Sequence, residues 1–152
     1  MNEEEFKGEL KRILGRDNSY AINDWKPPLI LRHNGVDERK EAYSRINDAI
    51  KNDIKGIYVY MKNEGCLYVG AGYLRQRLHS HYIESLPESK SKGRGKRWCE
   101  FFGDRENQGE MRVFWKQVDD RKAKVIEQML IYVLEPKFEK VARQKSLSKS
   151  LR

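Results

Sequence analysis

The sequence predicts an α/β fold: a small, mainly antiparallel three-stranded sheet flanked by helices, with an N-terminal helical extension. Three observations lead there. Apolar residues recur at helical spacing near both ends of the chain, they alternate with period two between Lys55 and Val69, and a Gly-bearing turn splits that alternating stretch into two strands.

Each element follows from local pattern. Over residues 2–14, Phe6, Leu10, Ile13 and Leu14 lie at helical spacing and Gly15 follows as a stop. Asp24-Trp25-Lys26-Pro27-Pro28 is irregular, because proline cannot sit in a helix interior, and Leu29-Ile30-Leu31 reads as a short strand. Residues 37–53 form a second helix with Ala42, Ile46, Ala49 and Ile50 on one side. Then Ile57, Val59 and Met61 alternate with Tyr58 and Tyr60, and Leu67 and Val69 with Tyr68. With Asn63-Glu64-Gly65 as the loop, and Gly65 free to take positive φ, Tyr60 falls opposite Tyr68 and Tyr58 opposite Gly70. That register sends Ile57, Val59, Met61, Leu67 and Val69 to the core and leaves the tyrosines together on an exposed face.

A helix follows from about Leu74 to Ser85, then a basic loop, a short helix at Trp98–Phe102, a turn at 106–109 and a strand at Met111–Val118. The last helix, from about Arg121 to Leu134, carries Ile126, Met129, Leu130, Val133 and Leu134 on one stripe, and Pro136 ends it. Beyond Lys137 the basic tail is expected to fray after about Gln144. Trp25, Trp98 and Trp115 read as core or cleft walls.

Composition narrows the function classes. No apolar run is long enough to span a membrane. Met1-Asn2-Glu3-Glu4-Glu5 is acidic where a secretory signal would be basic, so a cytoplasmic location is expected. Cys66 and Cys99 have no neighbouring cysteine or histidine, which argues for free thiols rather than a zinc site. A formal net charge of +8 favours a polyanionic partner through counterion release.

Gly56-Ile57-Tyr58 and Tyr68-Val69-Gly70, then Arg77 and His81 four residues on, then Glu127 with Leu130-Ile131 and Pro136 behind it, form an ordered set. This set resembles the GIY-YIG endonuclease superfamily over roughly residues 54–140. The resemblance implies a nuclease core at 54–140 between a helical extension at 1–53 and a basic C-terminal tail at 141–152. It implies hydrolysis of DNA phosphodiester bonds, double-stranded DNA as the partner, and Mg2+ (or Mn2+) as the cofactor. Without an attached DNA-binding domain, the chain looks more like a compact restriction-type or phage-type enzyme than a multidomain repair protein. Two positions depart from the family pattern: Val69 stands for Ile, and Glu139 stands where Asn is usual.

Phosphodiester cleavage needs an activated water, neutralised phosphate charge and a stabilised leaving oxygen. In the family, Tyr58 corresponds to the base or water-positioning group and Tyr68 to its support; read alone, they are ordinary strand tyrosines. Arg77 and His81, at i and i+4, share a helix face, and a guanidinium fork suits phosphate oxygens. Glu127 sits about 100° around the helix from Ile126, at the edge of the apolar stripe, and resembles the family's metal ligand. Lys90, Lys92, Arg94, Lys96 and Arg97 read equally as nucleic-acid-binding contacts or as a solubilising loop. Three alternatives remain open: a nucleic-acid-binding module with lost catalysis, an RNA-directed nuclease, and a homodimer on DNA assembled through the first helix.

Overall fold

Alternation of apolar side chains builds the centre of the molecule, seen in a computed structural model. The structure describes Asn2, Glu4, Glu5, Gly8, Arg12 and residues 25–32, 39–63, 65–86 and 94–151. Strands β2 (Lys55–Lys62) and β3 (Gly65–Tyr73) form an antiparallel hairpin. Tyr60 pairs with Tyr68 and Tyr58 with Gly70, the register that parity predicts. The turn differs in detail. Lys62 pairs directly with Gly65, the positive φ falls on Asn63 (53°), and the ladder slips between Tyr60 and Met61. That slip turns Leu67 to the tyrosine side and puts Cys66 with Met61 on the other, opposite to the expected place of Leu67.

The sheet has four antiparallel strands, not three. β4 (Glu110–Gln117) pairs with β2, and β1 (Lys26–Arg32) pairs with β4, giving the order β1-β4-β2-β3. Pro27 and Pro28 fall where the β1 register breaks between Lys26 and Leu29, on an outer strand that tolerates missing N–H donors. Gly56 lets β2 approach β4 closely, since a Cβ there would run into the carbonyl of Lys116.

Helices cover both faces of this sheet, so the tyrosine face is not open as the sequence suggests. Ile57, Val59, Met61, Val69 and Phe114 pack on Ala123, Ile126 and Leu130 of α4 (Asp120–Leu134). Tyr58, Tyr60 and Tyr68 lie under α1 (Arg39–Ala49), α2 (Leu74–Glu84), α3 (Arg94–Gly103) and Phe138 of α5 (Lys137–Ser150). Strand alternation reports two faces; it does not report that aromatic helices roof the second one. Trp98, Phe102 and Phe138 form that roof, and Tyr58, Tyr60 and Tyr68 are 1%, 0% and 2% exposed.

The ends of the helices follow capping chemistry. The Asp119 carboxylate accepts the Arg121 N–H at the start of α4, and Glu135 closes it in a left-handed conformation (φ 46°). Pro136 then starts α5, which continues to Ser150 where fraying is expected from Gln144; buried Phe138 anchors its first turn. At the N-terminus, the Asn2 N–H donates to Glu5 and the Glu5 N–H to Asn2 Oδ1, both at 2.9 Å, a reciprocal capping box. Glu4, Glu5, Gly8 and Arg12 are helical, whereas Phe6, Leu10, Ile13 and Leu14 lie outside the described residues. No helix among the described residues is long and apolar enough to cross a membrane.

Candidate active site

The hairpin register places Tyr58 over Gly70, and a Cβ at that glycine would land on the phenol. Gly70-Ala71-Gly72 leaves β3 nearly without side chains at this point, and a cavity of about 210 Å³ opens there. Its lining joins both sides of the sheet: Tyr58, Tyr68, Arg77, Asp120, Lys124 and Glu127 all face it. Four of the five expected catalytic residues, Tyr58, Tyr68, Arg77 and Glu127, thus meet, although they come from β2, β3, α2 and α4.

Two arginines on α2 do different work. Arg75 caps the end of α1, donating from Nε to the Ile50 carbonyl at 2.7 Å and from a terminal nitrogen to the Asn47 carbonyl at 2.8 Å. Arg77, two residues on, is exposed and faces the cavity. On α4, Asp120, Lys124 and Glu127 occupy one stripe at i, i+4 and i+7. Asp120 is tied to Lys55, with Nζ and Oδ2 at 2.6 Å; Glu127 is half-buried at the cavity wall.

His81 lies deeper than the shared helix face with Arg77 suggests. It is not a wall of the cavity; it stands behind Tyr58, 5% exposed, with Nε2 at 2.5 Å from the phenol oxygen. Its ring stacks on Trp98 (centroids 4.1 Å, planes 25° apart), and the Trp98 indole N–H donates to the His81 carbonyl at 2.7 Å. Its Nδ1 lies 3.8 Å from the Glu84 carboxylate. His79 points elsewhere, stacked on Tyr43 at 4.3 Å; burial, aided by Arg75, lowers its pKa. Burial, with a smaller contribution from Tyr68, raises the pKa of Tyr60 and keeps that phenol neutral.

The chain matches no family model, no curated protein and no solved structure.

Of the basic loop, Lys90 and Lys92 lie outside the described residues, as does the side chain of Arg94, whose backbone opens α3. Lys96 and Arg97 are exposed on the first turn of α3, so this end of the segment is helical rather than loop. Glu139 faces a separate groove with Tyr132, Lys140 and Arg143, not the tyrosine cavity. Sequence reasoning passed over Asp120, Lys124 and Glu84. The first two were detectable from their helical spacing to Glu127, and Glu84 from its i+3 spacing to His81.

The donor set at the cavity suits a hard divalent cation held by few protein atoms. Glu127 offers one half-buried carboxylate, Asp120 is paired with Lys55, and among the described residues neither sulfur nor imidazole lines the wall. Mg2+ accepts such sites, keeping waters and substrate phosphate oxygens as its remaining ligands. Among the described residues no three His, Cys, Asp or Glu side chains gather to form a self-sufficient metal cage.

Proposed function

We propose that this chain is a metal-dependent endonuclease of the GIY-YIG type that hydrolyses phosphodiester bonds in double-stranded DNA in the cytoplasm. The observation that carries this reading is the convergence of Tyr58, Tyr68, Arg77 and Glu127 on one cavity of about 210 Å³. Glu127 holds the cation, and bound Mg2+ or Mn2+ supplies charge neutralisation at the phosphate. Arg77 clamps a non-bridging phosphate oxygen through its guanidinium fork. Tyr58 orients the attacking water and takes its proton, while Tyr68 supports the phosphate or the water. Lys124 adds a second cation at the cavity, and Lys96 and Arg97 are candidate backbone contacts, with Lys90, Lys92 and Arg94 extending that set in sequence.

One cavity carries one Glu127, so one binding event cuts one strand, and a double-strand cut calls for two protomers or rebinding. A second reading rests on Glu139. It stands where the family usually has Asn and faces a separate groove, and that departure favours a nucleic-acid-binding module with weakened catalysis. Supercoiled plasmid incubated with Mg2+, with and without EDTA, tests the proposal, and an RNA substrate is run in parallel. Metal-dependent nicking or linearisation is expected. Binding without cleavage in any divalent metal refutes the nuclease reading in favour of the binding module, and cleavage of RNA alone refutes DNA as the substrate.

A further inference from the structure

Behind Tyr58, away from the cavity, stand His81, in hydrogen-bonding contact with its phenol, and Glu84, whose carboxylate faces the ring from beyond hydrogen-bond distance. The Tyr58 phenol oxygen lies 2.5 Å from His81 Nε2, and His81 Nδ1 lies 3.8 Å from Glu84 Oε2. His81 is 5% exposed and the Glu84 side chain 29%, so their attraction is screened less than that of a surface pair. Around the imidazole stand Tyr58 and Tyr60 from β2, Tyr68 from β3 and Trp98 from α3, with Glu84 on its own helix. Of these neighbours only Glu84 is a carboxylic acid.

We infer that Glu84 is a positioning residue, which directs the His81 proton to Nδ1 and leaves Nε2 as the acceptor for the Tyr58 hydroxyl. This deepens the nuclease reading and rests on it for its catalytic consequence. A carboxylate facing Nδ1 favours the tautomer protonated there, because that arrangement puts the N–H dipole toward negative charge. The Tyr58 O–H then donates inward to Nε2, and the phenol oxygen turns its lone pairs toward the cavity.

The proton balance follows. Water gives a proton to the Tyr58 oxygen while the original phenolic proton passes to His81 Nε2. The water oxygen bonds to phosphorus. The bond from phosphorus to the leaving sugar oxygen breaks with its electron pair, and that oxygen takes a proton from solvent. His81 gains one positive charge beside the Glu84 carboxylate, and the extra proton later returns through Tyr58 to water. Without a partner, a buried imidazolium here would pay the full desolvation cost.

Two measurements on the full chain test this. Imidazole nitrogen shifts in the NMR spectrum report which ring nitrogen of His81 carries the proton, with or without activity. The parent chain is expected to be Nδ1-protonated, and Glu84→Ala to lose that preference while circular dichroism is unchanged. In single-turnover cleavage, Glu84→Ala is expected to lose on the order of 10²-fold in rate with unchanged DNA affinity, and Glu84→Asp to recover part of the loss. An Nε2-protonated parent, or Glu84→Ala cleaving at the parental rate, overturns the assignment. A parent chain that cleaves nothing refutes the nuclease reading, and the nitrogen assignment then still decides what Glu84 does to His81.

Discussion

Replacing Tyr58 by Phe removes one oxygen atom and separates packing from chemistry. The ring keeps its neighbours, with centroids 6.1 Å from Tyr60, 6.0 Å from Tyr68 and 5.6 Å from His81. What is lost is the contact of the hydroxyl with His81 Nε2 in a site only 5% exposed. Leaving a buried polar atom without its partner costs about 1–3 kcal/mol. For a chain of this size each kcal/mol lowers Tm by about 2–4 °C. That loss fits within an ordinary stability of about 5–15 kcal/mol, so the variant stays folded at 25 °C. On the proposed nuclease reading the rate effect is larger. A positioned general base contributes about 10²–10⁴-fold, or roughly 2.7–5.5 kcal/mol of barrier. Thermal melts paired with single-turnover cleavage at saturating DNA measure both quantities on one preparation. A modest drop in Tm with a rate near the parental value refutes a chemical role and makes Tyr58 a packing residue. A mild loss here beside a severe one in Tyr68→Phe would mean that the two phenols exchange roles.

Three further outcomes are expected. Glu127→Gln is expected to abolish cleavage and leave DNA affinity near the parental value, since on the proposed reading the half-buried carboxylate at the cavity wall would hold the cation; gel-shift and nicking assays separate the two, and parental cleavage sinks the assignment. Arg77→Ala lowers kcat with little change in Tm, whereas Arg75→Ala lowers Tm by releasing the end of α1; the reverse pattern would exchange their roles. Burial pushes the Cys66 thiol up to about 12, so at pH 8 it stays protonated and resists iodoacetamide while the partly exposed Cys99 reacts. The thiol's contribution to stability is full below its unfolded value of about 8.5 and falls as pH rises toward the folded value, and equal labelling of both cysteines would refute its burial.

The central hairpin was legible because side-chain parity is a strict geometric rule, and Tyr60 opposite Tyr68 follows from it. Leu67 was misassigned because a one-residue slip in a ladder leaves no mark on the apolar pattern. The strand at Lys26–Arg32 was harder to extend, since Pro27 and Pro28 suppress a strand signal that the β4 edge nevertheless accommodates. Fraying after Gln144 followed from a charged composition, which says nothing of the anchor that Phe138 finds among Tyr68, Trp98 and Phe101. At the site, spacing places Arg77 and His81 on one face, but not one at the cavity and the other behind a phenol. Depth depends on what packs above a helix, and Trp98 arrives from a segment with no sequence spacing to His81.

Pro27 and Pro28 have a consequence for how copies of this chain can meet. Among the described residues β1 is the outermost strand on its side of the sheet, and its consecutive prolines remove N–H donors near its start. The register break beside them also interrupts the regular ladder of β1, so this stretch is a poor template for a continuous added strand. The opposite rim belongs to β3, against which α5 packs. Concentrated protein is thereby guarded at β1 against the edge-to-edge growth that turns open sheets into fibrils.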